Sequence, residues 1–218
     1  MNRLYILVEG QTEESFVKNV LYEYFFKKSI IITPVIIESK RLANGKKFKG
    51  GNITFKKVVD ESKKLLNSGY VTTLIDYYGI DENFKGYSES IDKKEIEDKK
   101  LSLEIELKNE IQNKKFIPYI QMYEFEALLF SDLDTFIYVD EDKFKLTDLK
   151  NEIRFFKTPE YVNNTKETAP SKRIKKIYSN YAKVLDGTLL AKEIGIEKMR
   201  EKCLLFDKWI RTIEEIVT

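Results

Sequence analysis

Three acidic side chains stand where short apolar runs stop, and a fourth follows the first of them closely. Glu9 closes Leu4 to Val8 and is followed by Gly10-Gln11-Thr12 and a second acid, Glu13. Asp76 closes Thr73-Leu74-Ile75, and Glu124 follows Pro118-Tyr119-Ile120-Gln121-Met122-Tyr123. Carboxylates delivered to one point bind a hard divalent cation through oxygen, and such an ion polarises a phosphate ester and acidifies water. Without an ion, clustered carboxylates repel one another and at least one takes up a proton. Gly10 is expected to let the backbone bend so that Glu9 and Glu13 face one point. Glu9, a lone acid closing an apolar strand, sits where active sites of parallel sheets sit, but each of the other acids also has a plain structural reading. Thr12 can cap a helix whose dipole Glu13 and Glu14 complement, Asp76 can open a turn, and Glu124 can begin a charged helix on which Glu126 lies on a different side.

The rest of the inventory narrows the chemistry. None of the 218 residues is histidine, so Ser-His-Asp and Cys-His nucleophile activation are excluded, leaving carboxylates, lysine, tyrosine or metal-activated water as acid and base. Cys203 is the single cysteine, so there is no internal disulfide and any zinc site would be all oxygen. Mg²⁺ or Mn²⁺ are the metals that suit such ligands. The net charge of +2, from 38 basic and 36 acidic residues, places any nucleic-acid surface in local clusters. One such cluster is Lys40, Arg41, Lys46, Lys47 and Lys49 around Asn44-Gly45 and Gly50-Gly51, a loop suited to phosphates and equally readable as solvated surface. The other is Thr168-Ala169-Pro170-Ser171-Lys172-Arg173, a helix start with cationic side chains beside free amides, or simply a proline-led helix entry. No apolar run approaches a membrane span and the amino terminus lacks a signal pattern, which predicts a cytoplasmic protein.

To position these acids the chain must present strand ends side by side. Leu4–Val8, Ile30–Ile37, Tyr70–Ile75 and Phe116–Gln121 read as strands. Helical spacing runs through Glu13–Lys27, Phe55–Leu66 and Ile91–Asn113. Strands alternating with helices of this length predict an α/β fold with a mainly parallel sheet of about four strands, whose active residues lie beyond the carboxyl ends. If the Glu9 and Asp76 strands are neighbours, those ends are roughly 5 Å apart. After Tyr123 only helices are predicted, over Glu124–Phe130, Asp142–Phe156, Ser171–Tyr181 and Lys198–Ile216. The expected organisation is an α/β domain over 1–122 with a helical extension, 123–218, packed on it.

Val8-Glu9-Gly10-Gln11-Thr12-Glu13 and Ile75-Asp76 resemble the acid-glycine-turn-acid and Asp-x-Asp motifs of the Toprim domain of overcoming-lysogenisation-defect nucleases, with Tyr78 standing where the second aspartate would be. More of the chain resembles an uncharacterised prokaryotic Toprim-like family, domain-of-unknown-function family 4276. The added matches are Tyr123-Glu124-Phe125-Glu126-Ala127-Leu128-Leu129-Phe130, Ala169-Pro170-Ser171-Lys172-Arg173 and Leu190-Ala191-Lys192-Glu193-Ile194-Gly195. The resemblance implies a Rossmannoid, Toprim-like fold and a divalent-metal-dependent phosphodiesterase, a nuclease acting on DNA or RNA within an anti-phage defence module. Glu9, Glu13 and Asp76 would hold Mg²⁺ or Mn²⁺, Glu124 would supply the missing ligand, and Asp81 is a second substitute for it. Glu9 would alternatively act as general acid or base, and Lys172 or Arg173 would stabilise phosphoryl charge. Lys46, Lys47, Lys49, Lys172 and Arg173 would contact nucleic acid. The alternative is a non-catalytic Toprim-like partner of an ATPase in a defence or signalling complex.

Overall fold

The computed structural model describes residues 1–37 and 53–217. Its sheet contains β1 (Asn2–Val8), β2 (Ile30–Ile36), β3 (Tyr70–Asp76), β4 (Phe116–Ile117) and β5 (Ile120–Gln121). All pairings are parallel, in the order β2-β1-β3-β4, with β5 also on β3. The α/β class and the four strand positions expected from the sequence are therefore present. The fourth position is split because Pro118 has no backbone N–H to give the ladder. Thr73 repairs the gap with its side chain, its Oγ1 donating to the Tyr119 carbonyl and accepting from the Tyr119 amide, both at 2.7 Å.

Helices cover both faces, which is why the strands are apolar on both sides. Leu4, Ile6, Val8 and Leu74 pack against α1 (Gln11–Phe16), the π-helical stretch Val17–Leu21 that continues it, α2 (Tyr22–Phe26), and residues near the carboxyl terminus. Leu7, Val71 and Ile75 point the other way, against α3 (Phe55–Leu65), which Thr54 caps, and α5 (Ile96–Ile111), preceded by the short α4 (Tyr87–Ile91). The order β2-β1-β3 means that the chain leaves β1 in one direction and later returns to its other side. The switch point of the sheet thus lies between the carboxyl ends of β1 and β3, where the strand connections diverge and leave a crevice.

The carboxyl-terminal segment is helical, as expected, and supplies one wall of the core. It comprises α6 (Lys143–Ile153), α7 (Pro170–Ile177), α8 (Lys183–Lys202) and α9 (Leu204–Val217). Residues on both sides of position 122 share one hydrophobic cluster, from Leu4 and Leu74 to Phe206, Trp209 and Ile213. Trp209 stacks on Tyr119 at 4.5 Å and donates its indole N–H to Thr72 Oγ1 at 2.8 Å, which fastens α9 to the middle of the sheet.

Some boundaries differ from the sequence reading. Glu124–Phe130 is a 3-10 segment, Phe125–Ser131, buried throughout, because it is enclosed by α8, α7 and the turn Pro159–Tyr161 and exposes no face. The predicted Lys198–Ile216 helix is two helices separated at Cys203, and the first begins as early as Lys183. Gly195 breaks α8 internally with φ 75° and ψ 159°, a conformation that is essentially glycine's own.

Removing the α9 anchor should therefore damage the whole fold. Trp209→Ala is expected to cost roughly 3–5 kcal/mol, read as a lower denaturant midpoint by far-UV circular dichroism. A fragment ending at residue 122 should not melt cooperatively. A native-like cooperative transition in that fragment would show that the sheet does not need α9.

Candidate metal centre

Val8 of β1 lies in register with Leu74 of β3, so Glu9 and Asp76 leave adjacent strands at almost the same level. Glu13 stands in the first turn of α1, where its Oε2 accepts the Gly10 amide at 3.0 Å. Glycine, rather than Thr12, is the N-cap, and Glu13 closes half of a capping box. The expected bend at Gly10 is not what brings the acids together. Gly10 is extended, at φ −155°, and a Cβ there would make only an ordinary 3.5 Å contact with Glu13.

The glycine the site does require is Gly79. A Cβ on Gly79 would fall 1.8 Å from Glu9 Oε2 and 2.5 Å from its carboxyl carbon, so the carboxylate lies flat against this backbone. The loop is held there by Ile53, whose amide donates to the Gly79 carbonyl at 2.7 Å, and by the Tyr78 amide, which donates to the Tyr123 carbonyl at 3.1 Å.

Two further acids arrive from the segment after β5. Glu124 accepts from the Ser171 amide at 2.8 Å and from its hydroxyl at 3.0 Å, which ties it to the start of α7. Glu126, expected to diverge from Glu124, is instead 1% exposed and belongs to the same group, because Glu124 is extended and the 3-10 path starts only after it, which leaves both acids facing Lys183. One cation meets them. Lys183, at the start of α8, places its ammonium 3.0 Å from Glu126 Oε1 and 3.7 Å from Glu124 Oε1.

The electrostatics follow from five acids around one lysine. Burial, then the charge of Glu13, pushes Glu9 up to about 7. Burial also raises Glu13, and raises Asp76 well above the ordinary carboxylate range, with Glu13 and Glu9 adding to the effect. Glu126 is pushed up to about 7 by burial, against the pull of Lys183. Burial draws Lys183 down, but Glu126 and Glu124 outweigh it and hold the ammonium protonated.

Whether these residues fit the divalent ion implied by the sequence turns on their oxygen atoms. Glu9 Oε2 and Asp76 Oδ1 are both buried without a hydrogen-bond partner. A buried polar oxygen left alone is costly, and an oxygen-seeking cation is a partner that either could take. Among the described residues no ready-made cage of three or more ligands is drawn together. The donor set thus fits Mg²⁺ in its usual style, in which one or two carboxylates hold the ion and water and phosphate complete the octahedron. Glu9 and Asp76 would hold it, with Glu13 beside them.

Other residues singled out in the sequence are placed elsewhere. Arg173 does not present its charge to a substrate. Its guanidinium is buried and donates to Thr168 O at 2.8 Å, Glu152 Oε1 at 2.5 Å and Asn164 Oδ1 at 2.6 Å, so its role is to brace the turn before α7. Lys172 is exposed on α7. Asp81 turns into its own loop, accepting from the Asn83 amide at 2.9 Å. Lys46, Lys47 and Lys49 lie outside the described residues. Sequence reading missed Glu126, Lys183 and Gly79. Lys183 is one lysine among many, and no local pattern marks it. Gly79 was visible only as part of Tyr77-Tyr78-Gly79.

The raised acids fix the sign of a pH effect. A carboxylate with a folded pKa above its unfolded one holds a proton in the folded state that the unfolded chain has released, so stability falls as pH rises from about 4.5 through 7. In metal-free buffer the melting temperature should be higher near about pH 5.5 than near about pH 8. Asp76→Asn should flatten that profile by raising the alkaline value. A wild-type profile that rises toward pH 8 would contradict the buried-acid electrostatics.

No curated protein and no solved structure matches the chain. A family model, described as Domain of unknown function (DUF4276), matches residues 8–214 and so includes every acid of the cluster, all of α8 and most of α9. The chain belongs to that family.

Proposed function

We propose that the chain is a divalent-metal-dependent phosphodiesterase acting on nucleic acid, with Mg²⁺ or Mn²⁺ at the β1 and β3 strand ends. The supporting observation is the pair of orphaned buried oxygens, Glu9 Oε2 and Asp76 Oδ1, at the switch point of a parallel sheet. When bound, the ion supplies Lewis-acid polarisation of a phosphate and acidifies water. Asp76 and Glu9 supply the anchoring charge, and Glu13 fixes the turn that carries Glu9 by holding the Gly10 amide. Lys183 pairs with Glu126 and Glu124, so its charge is directed chiefly at those two acids rather than at Glu9, Glu13 and Asp76. The Toprim relationship, with Glu9, Glu13 and Asp76 as its acids, is part of this reading, as is a place in an anti-phage defence module.

A second reading has its own observation in favour. Tyr78 occupies the position of the second Asp-x-Asp acid, and Lys183 already pairs with two of the five acids. A non-catalytic partner of an ATPase would retain such a site as scaffold. Calorimetry separates the two readings, since the phosphodiesterase binds Mg²⁺ or Mn²⁺ and the scaffold does not.

Metal-loaded protein is expected to cleave at least one of plasmid DNA, single-stranded DNA and transfer RNA, and Glu9→Gln should abolish the cleavage. Equal cleavage by Glu9→Gln and wild type would defeat the proposal. Gly79→Ala is a subtler probe. It should melt close to wild type, because the atom in its way is the end of a flexible side chain, yet lose about 10- to 100-fold in metal affinity as the Glu9 carboxylate is displaced.

A further inference from the structure

Beside the acids lies a group of tyrosines that the metal chemistry does not use. Tyr77 is buried, stacked on Tyr87 at 5.7 Å and hydrogen-bonded through its hydroxyl to Ser90 Oγ at 2.8 Å, so it forms a fixed back wall. Tyr78 and Tyr123 rest on it at 6.1 and 6.3 Å and on each other at 5.5 Å. Both are only partly buried, and the Asn163 side chain lies against both hydroxyls. The Lys166 ammonium is 5.9 Å from the centre of the Tyr78 ring.

The backbone is held in an uncommon shape to achieve this. Tyr123 has φ 61°, in the left-handed region that a bulky residue avoids. Such strain persists only where the surroundings impose it, and it gathers at ligand sites. Here it turns the Tyr123 ring onto Tyr78 while Glu124, the next residue, enters the acid cluster. Lys166 is positioned too, because Arg173 grips Thr168 O and Asn164 Oδ1 on either side of it.

From this arrangement, and resting on the phosphodiesterase reading, we infer that Tyr78 and Tyr123 form a stacking shelf for an unpaired nucleobase, with Lys166 meeting a neighbouring phosphate. An aromatic pair beside a cation, next to a metal site that takes phosphate, is the combination that grips a single strand. A paired base in a duplex has both faces covered by its neighbours, so the shelf selects single-stranded or locally opened substrate. The departure from Asp-x-Asp at Tyr78 is then an exchange of a metal ligand for a substrate contact. Gly79, immediately after Tyr78, belongs to the same loop, so base and metal would be registered against each other within two residues.

The test uses a single-stranded oligonucleotide of about ten nucleotides carrying 2-aminopurine, with wild-type protein in Ca²⁺, an oxygen-seeking ion. Stacking should quench the fluorescence, and the matching duplex should give little change. Tyr78→Leu and Tyr123→Asn should each weaken single-strand binding about 5- to 100-fold, whereas Tyr78→Phe, which keeps the ring, should stay near wild type. Asparagine tolerates the left-handed backbone, so Tyr123→Asn should also remain folded, as melting would verify. Unchanged quenching and affinity in both ring-deleting variants would overturn the shelf, even if the protein cleaves nucleic acid. Ring-dependent quenching with no cleavage in Mg²⁺ or Mn²⁺ would leave the shelf standing and remove the phosphodiesterase reading.

Discussion

The structure is organised around one electrostatic constraint. Glu9, Glu13, Asp76, Glu124 and Glu126 are gathered in a largely buried crevice with Lys183 beside them. A carboxylate taken from water without compensation is expensive, and the surrounding architecture is what holds the acids there. Adjacent parallel strands fix the origins of Glu9 and Asp76, α1 fixes Glu13 through the Gly10 amide, and α7 fixes Glu124 through Ser171. The bare side of Gly79 gives the Glu9 carboxylate its place. Four separate elements thus converge on a few side chains. The large apolar core, shared between the sheet and the terminal helices, offsets what the acids cost.

A second buried polar group shows how differently acids behave when they are satisfied. Glu160 is also raised to about 7 by burial, yet both its oxygens accept amides at the start of α9, from Leu205 at 3.0 Å and Phe206 at 2.9 Å. Glu104 accepts from the Ile120 amide at 2.9 Å and pairs with Lys100, whose ammonium also lies over the Tyr119 ring. Glu104 stitches α5 to β5, and Glu160 stitches the turn Pro159–Tyr161 to α9. Glu9 and Asp76 stand apart from them, since each leaves a buried oxygen without a partner.

Much of this was legible from residue order. Apolar runs ending at Glu9 and Asp76 announced strand ends, and the helices between them required parallel pairing, which together placed two acids at one edge. Glu126 was misread because its segment looks α-helical in periodicity while tertiary burial draws it into a 3-10 path. Lys183 was invisible because its function depends on α8 crossing the sequence-distant segment after β5. Arg173 invited a substrate role by its charge, and only the positions of Glu152, Asn164 and Thr168 reveal that it is turned inward with all three nitrogens bonded within the fold. Local pattern identified the strand-borne acids, and contacts between distant segments decided the rest. No helix among the described residues is long and apolar enough to cross a membrane.

The bond between Glu124 and Ser171 carries one more implication. The same carboxylate that borders the crevice also supplies the acceptor for an amide in the first turn of α7, whose N-cap, Ala169, makes no side-chain hydrogen bond there. An ion that drew Glu124 inward would compete with that helix for the same oxygens. The occupancy of the crevice and the anchoring of α7 are therefore linked through a single side chain, and a shift of Glu124 at one would be felt as slack at the other.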